Sequence, residues 1–246
     1  MNTWRCIVHG PADAPANMAI DESLLVSGTP TLRLYTWHPS ALSIGYFQGI
    51  REEVNLDACE RHHVDVVRRI SGGGAVYHDR AGEITYSLVL PEQELPRDVQ
   101  QSCERICTAL ASGLQQLGVD ARFSPLNDVV VNGQKISGSA QTRRRGHVLQ
   151  HGTVLLDVDV ALMFSLLRVS TTKIADKAIT EASARVTSLR HLTGEIDRDD
   201  VITALQQGFA DVFDVTLQEG GLTDDERERL PELREKYASQ EWTFQR

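Results

Sequence analysis

The stretch Arg68-Arg69-Ile70-Ser71-Gly72-Gly73-Gly74-Ala75-Val76-Tyr77-His78-Asp79 decides how this chain is read. Three consecutive glycines have no Cβ and reach positive φ without strain, so successive backbone N–H groups can converge into a concavity suited to an anion. The two arginines upstream add permanent charge and forked donors. A bare glycine triplet also serves as a hairpin between buried strands, but the flanking residues turn the reading toward binding. The loop is no P-loop, because Gly74 leads into Ala75 and Val76 rather than into Lys-Ser/Thr. A dinucleotide fingerprint fails too: Tyr77 stands where its last glycine belongs, and Ala75 to Tyr77 reads as extended rather than helical.

Working outward, the β-branched run from Val64 to Arg68 delivers the chain into the loop, and Ile84 to Leu90 returns from it as a strand. Upstream, Asn17 is expected to cap a helix running to Leu25 with Gly28 as its stop, followed by strands over Thr31 to Trp37 and Ala41 to Phe47. Downstream, Val99, Cys103, Ile106, Leu110, Leu114 and Leu117 recur at helical steps, which predicts an amphipathic helix over 98–117. Asn132-Gly133 between apolar runs signals a type I′ hairpin, and a second hairpin is expected with Arg143-Arg144-Arg145-Gly146 at its tip. Beyond about residue 160 the pattern turns helical, with segments near 161–167, 199–213 and 224–238. These elements predict an α+β fold, a mixed and mostly antiparallel sheet flanked by helices, in one catalytic domain over 1–246 whose part from about 160 to 246 is helical.

A hydrophobic fraction of 41% supplies a substantial core. The formal charge of -9 opposes a nucleic acid backbone or an anionic membrane, which leaves small molecules and proteins as partners. The N-terminus lacks a charged region followed by an apolar one, and no apolar stretch approaches the length of a membrane span. The four cysteines, Cys6, Cys59, Cys103 and Cys107, form no CxxC pair and fit a reducing cytoplasm.

Among chemistry-bearing residues, Lys135 follows the Asn132-Gly133 turn within Gly133-Gln134-Lys135-Ile136-Ser137-Gly138-Ser139, where small neighbours leave room for a ligand. Asn127-Asp128 opens the same hairpin and suits a ribose, an adenine edge or Mg2+, or else simply makes an Asx turn. His147 and His151 have a ligand-like spacing, but they lack the glutamate of a zincin helix and sit on a strand, which argues against a metal. No Gly-x-Ser-x-Gly elbow supports a serine nucleophile. Cys103 and Cys107 lie on the apolar stripe of the long helix as small hydrophobes.

Taken in order and spacing, Asn17 to Glu22, Ser43 to Gln48, Arg68 to Asp79, Asn127-Asp128 and Lys135 to Gln141 resemble the lipoate-protein ligase family, and the likeness covers nearly the whole chain. Lys236 to Trp242 looks like the end of the ligase catalytic domain. The resemblance implies a fold shared with biotin ligases and an ATP-dependent reaction in which lipoate becomes lipoyl-AMP. A lysine of an acceptor lipoyl domain then takes the acyl group. Carried over by motif, Lys135 is the catalytic residue, bridging the lipoyl carbonyl and the phosphate. Arg69, Ser71, Gly72, Gly73, Gly74, Ala75, Val76, Tyr77, His78, Asn127, Asp128 and Gly138 would bind ATP and lipoyl-AMP. Mg2+ would sit near Asp128 and be held through the phosphates.

The chain departs from the family pattern after His78-Asp79, where Arg80-Ala81-Gly82-Glu83 is one residue longer and carries a glutamate, so a reshaped pocket rim is expected. The small accessory domain of many ligases is not recognised, which implies a separate accessory subunit. The nearest rival in the superfamily is an octanoyl or lipoyl transferase, which works through a cysteine thioester without ATP. Gly138 to Arg143 and Leu149 to Gly152 resemble that branch as well, although neither the segment before Lys135 nor anything after it holds a cysteine. A non-catalytic lipoate-binding module is the reading from a different class.

Overall fold

The computed structural model describes residues 2–168 and 184–246. Eleven strands are described: β1 (Asn2–Ala12), β2 (Thr31–Trp37), β3 (Ala41–Ile44), β4 (Asp65–Arg68), β5 (Val76–His78), β6 (Glu83–Pro91), β7 (Ala121–Ser124), β8 (Asp128–Val131), β9 (Gln134–Arg144), β10 (His147–Leu155) and β11 (Val215–Glu219). Eight of them form one sheet in the order β11-β1-β2-β6-β10-β9-β8-β7, and β4-β3-β5 form a second. In the large sheet β1 runs parallel to both β11 and β2, and every other pairing is antiparallel. The expected mixed, mostly antiparallel sheet is thus present.

Strand β6 shows how the sequence builds both faces. Ile84, Tyr86, Leu88 and Leu90 enter the main core, under the helices α2 (Val99–Gln116) and α3 (Arg198–Phe213). Glu83, Thr85 and Ser87 alternate with them onto the opposite face and are buried all the same. Helices α1 (Ala14–Ser27) and α4 (Asp224–Ala238) cover that side, around a second cluster that includes Met18, Leu24, Tyr35, Trp37 and Tyr237. The C-terminal segment locks this layer: Lys236 Nζ and Tyr237 Oη donate to Glu22 at 2.6 Å, and Trp242 Nε1 donates to the Arg68 carbonyl.

Several expectations are corrected here. Asp13, not Asn17, caps α1, its carboxylate accepting from Ala16 N at 2.8 Å. Asn17 lies inside the helix and is fully buried, with its amide nitrogen donating to the carbonyls of Ala12 and Thr36. The strand from Ala41 ends at Ile44, because Gly45 to Gln48 form a turn. The C-terminal part is not wholly helical, since β11 lies within it and pairs with β1. The predicted type I′ turn is present, with positive φ at both Asn132 and Gly133, and Arg145-Gly146 turn the second hairpin in the same way.

The glycine loop is not a hairpin. Strands β4 and β5 flank β3, one parallel and one antiparallel, so the loop crosses over the end of β3. There it presses on Gly45, where a Cβ would come within 2.0 Å of the Gly73 carbonyl oxygen. Gly73 has φ +90, the conformation that the triplet offers at no steric cost.

Candidate functional site

The glycine loop and Lys135 face each other across one pocket of about 190 Å³. The small sheet and its loop contribute Ser43, Arg69, Gly73 to Val76 and His78. From the large sheet come Tyr35, Trp37, Thr85, Lys135, Gly138 to Ala140 and His151 to Thr153, and Met18 of α1 closes one side. The register explains the convergence: Gly138 pairs with Thr153 and Ala140 with His151, while Thr153 in turn pairs with Thr85 on β6.

Lys135 is half-exposed, and its Nζ lies 2.7 Å from Asp128 Oδ1. A Cβ on Gly138 would fall 2.5 Å from that Nζ, so a side chain there would push the lysine head group out of its present position. The lysine backbone is pinned as well, its N–H donating to Arg185 O and its carbonyl accepting from Thr187 N. Asn127, which also lines the pocket, hydrogen-bonds through Nδ2 to the Ser139 carbonyl.

Of the residues expected to bind, Arg69, Gly73, Gly74, Ala75, Val76, His78, Asn127, Lys135 and Gly138 line the pocket. Ser71, Gly72, Tyr77 and Asp128 do not. Gly72 faces a different groove, beside Tyr46 and Phe47, and the Tyr77 hydroxyl donates to Asp79. Ser71 stands behind the wall, its hydroxyl 2.6 Å from His151 Nε2. Arg69, expected to bind the ligand, lines the pocket with its guanidinium engaged inside the protein. All three of its guanidinium nitrogens donate within the protein, to Ser71 Oγ, to Ser43 O and Oγ, and to the carbonyls of Gly72 and Gly74. Arg69 therefore braces the loop from inside. Arg68 does similar work, reaching the carbonyls of Gly45, Gln48 and Thr243.

Asp128, near which Mg2+ was expected to sit through the phosphates, has its Oδ1 2.7 Å from Lys135 Nζ; among the described residues no group of three or more His, Cys, Asp or Glu side chains could hold a metal by protein ligands alone. Glu83 is not at a reshaped rim. It is buried, and its Oε1 accepts from His78 Nδ1 at 2.8 Å and from Thr85 Oγ1 at 2.6 Å.

His151, Ser43, Thr85, Tyr35 and Trp37 were not assigned to a site from the sequence. They come from four strands far apart in the chain, and the one usable signal was polar alternation along a buried strand. Burial lowers His151 below its ordinary value of 6.5 and so favours the neutral ring, outweighing the Asp21 carboxylate on Nδ1 at 3.0 Å.

No cysteine lines the pocket. Cys107 comes nearest, packed behind β9 with its Sγ 3.8 Å from Ser139 Oγ. The contact with Cys103 Sγ at 3.9 Å and burial both raise its thiol above the ordinary cysteine range, which disfavours the thiolate. Cys59 is raised to about 11 by burial alone.

The pocket pairs a glycine loop with a lysine on a mixed sheet, and the comparisons place this arrangement in a family of enzymes. The chain belongs to the family described as the lipoyl protein ligase A/B catalytic domain, whose model matches residues 13–210. It is 38% identical to octanoyltransferase LipM of Kyrpidia tusciae over the full length of both chains, and 33% identical to octanoyltransferase LipM of Bacillus subtilis over 99% of each. A solved structure from Thermoplasma acidophilum, a bipartite lipoate protein ligase studied with its E2 lipoyl domain, superposes with a TM-score of 0.92 at 31% identity, covering 99% of this chain and 97% of that one. The full-length relatives overturn the expectation of an ATP-dependent lipoate ligase: they carry the name of an octanoyl transfer enzyme, not of one that activates a free acid. Protein modification within the lipoylation superfamily is the function that the family establishes.

Proposed function

We propose that this chain transfers an octanoyl group from a thioester to a lysine amine of a lipoyl-domain acceptor, with Lys135 at the reacting carbonyl. The observation that carries the reading is the meeting of Lys135 with the glycine loop in a pocket that also presents Met18, Tyr35 and Trp37. That apolar lining suits an aliphatic chain, whose burial contributes roughly 0.8 kcal/mol per CH2 group. The names of the full-length relatives supply the acyl group, and the lipoyl domain studied with the archaeal ligase supplies the acceptor class.

Amide formation without a nucleotide requires a carbonyl that is already activated, and a thioester provides one. The neutral acceptor amine adds to the thioester carbon, the C–N bond forms, and the C–S bond breaks. The departing thiolate takes the proton that the amine gives up. As negative charge builds on the carbonyl oxygen, the Lys135 ammonium opposes it, held in place by Asp128 at 2.7 Å. Because no thiol lines the pocket, the acyl group passes directly from donor to acceptor, with no cysteine step.

The test is thiol release from an octanoyl thioester incubated with the protein, with and without a lipoyl domain. The reading predicts release that depends on the acceptor and proceeds without ATP. Acceptor modification that requires ATP and free acid would overturn it.

A further inference from the structure

Arg69 presents an electrostatic problem. Its guanidinium is buried, burial lowers it to about 10, and among the described residues no carboxylate lies within ion-pair distance. Every acceptor around it is neutral: two serine hydroxyls and three backbone carbonyls. A buried cation of this kind is costly unless charge reaches it from elsewhere.

Charge reaches it along two routes of the same construction. On one side, Arg69 Nε donates to Ser71 Oγ at 3.1 Å, Ser71 Oγ lies 2.6 Å from His151 Nε2, and His151 Nδ1 lies 3.0 Å from Asp21 Oδ2. On the other, Arg69 Nη1 donates to Ser43 Oγ at 3.2 Å, Ser43 Oγ lies 2.8 Å from His78 Nε2, and His78 Nδ1 lies 2.8 Å from Glu83 Oε1. One assignment of protons satisfies both chains. Each carboxylate accepts from Nδ1–H, each Nε2 accepts from a serine hydroxyl, and each serine oxygen accepts from the guanidinium. All dipoles then point the same way and polarise one another.

The carboxylates are fixed at their outer ends. Asp21 Oδ1 accepts from Arg33 and from Ser87, both at 2.8 Å, and Tyr35 Oη donates to Oδ2 at 3.1 Å. Thr85 holds Glu83 and is itself held by Trp37 Nε1 at 2.7 Å. The ring of Trp37 stacks on His78 with centroids 4.1 Å apart. Neither Asp21 nor Glu83 lines the pocket, whereas Arg69, His78 and His151 do.

We infer that Asp21 and Glu83 are the positioning residues of this site: through a histidine and a serine each, they hold Arg69, and Arg69 holds the Gly72 and Gly74 carbonyls of the loop whose residues Gly73 to Val76 line the pocket with Lys135. The kinetic part of this inference rests on the acyl-transfer reading, and the spectroscopic part does not.

The experiment is a long-range 1H–15N correlation spectrum of the whole protein labelled at histidine, recorded at neutral pH, together with the octanoyl transfer rate. In the wild type His78 and His151 give neutral rings protonated on Nδ1. Asp21→Asn removes that signature from His151 alone and Glu83→Gln from His78 alone, and each lowers kcat/KM for transfer by about ten- to a hundredfold, the usual cost of losing an outer-shell orienting group. Should either variant fail to fold, Ser71→Ala and Ser43→Ala cut the same chains beside Arg69 and leave both carboxylates paired, with the same loss expected. Rings protonated on Nε2 or charged in the wild type overturn the inference, as do variants with altered ring signatures that still transfer octanoyl at the wild-type rate. A wild-type protein that shows the ring signatures but no octanoyl transfer refutes the acyl-transfer reading and leaves the two relays standing.

Discussion

At the scale of single residues, the proposed transfer gives the chemistry to Lys135, while Arg69 holds the carbonyls of the loop. Both are cations that line the same pocket, yet only Lys135 keeps its head group half-exposed, while the nitrogens of Arg69 are all committed inward. The motifs made Lys135 catalytic and Arg69 a ligand-binding cation, but a motif shows which groups approach a site and not where their N–H bonds point. Lys135→Ala is expected to leave the thermal midpoint unchanged, since its ammonium is half-exposed and its ion pair among the described residues is with Asp128 alone. The same change should lower octanoyl transfer by about 10² to 10³, the loss typical of one removed oxyanion donor. Melting curves and steady-state rates measured on one preparation check both statements.

At the scale of elements, local patterns were legible and long-range assembly was not. Asn132-Gly133 and the stripe on α2 declare themselves within a few residues, since turn chemistry and helical period are local properties, although Val99 at the start of that stripe is exposed. Strands β1 and β11 gave no such signal: their partners are parallel and distant, so no turn residue announces the pairing. Glu83, Thr85 and Ser87 alternate with apolar residues in the manner of a solvent-facing edge, but all three are buried; Thr85 lines the pocket, while Glu83 and Ser87 hold His78 and Asp21 behind it. The composition of the glycine loop led to the expectation of a binding element, while its crossing over β3 came only from the fold. That crossing carries a prediction. Gly45→Ala places a methyl group 2.0 Å from the Gly73 carbonyl oxygen, so it should destabilise the protein by about 1–3 kcal/mol and displace the loop. Urea unfolding and transfer rate should both fall; an unchanged rate would show that the loop geometry is not needed.

At the scale of the whole molecule, the layer that holds the site is also the one that carries the buried charge, which ties stability to pH. Burial keeps His151 below 6.5, so the folded state binds its proton less readily than the unfolded chain; its contribution is fully present above 6.5 and is lost as pH falls through the lower folded value. For Asp21, burial alone would raise the carboxyl, but the bond from His151 and the charge of Arg33 bring it below its ordinary 3.8. Glu226 is likewise brought below 4.5, burial being outweighed by its bonds to Arg5 and to the Thr223 amide. Both carboxylates therefore stabilise the fold above those ordinary values and cease to do so as pH drops through the folded ones. Denaturant midpoints should accordingly begin to decline below about pH 6.5 and fall more steeply below about pH 4. A midpoint that is flat from pH 7 to pH 5 would contradict the neutral, buried His151.

Direct acyl transfer at Lys135 is tested most plainly by intact-mass spectrometry of a single reaction containing this chain, an octanoyl thioester in excess and a lipoyl domain, with no nucleotide. The account predicts a lipoyl domain heavier by one octanoyl group on its lysine, while the chain itself stays unmodified throughout the time course. An octanoyl adduct on this chain that is consumed as the acceptor gains mass, or an acceptor that stays unmodified until ATP and the free acid are supplied, would contradict it.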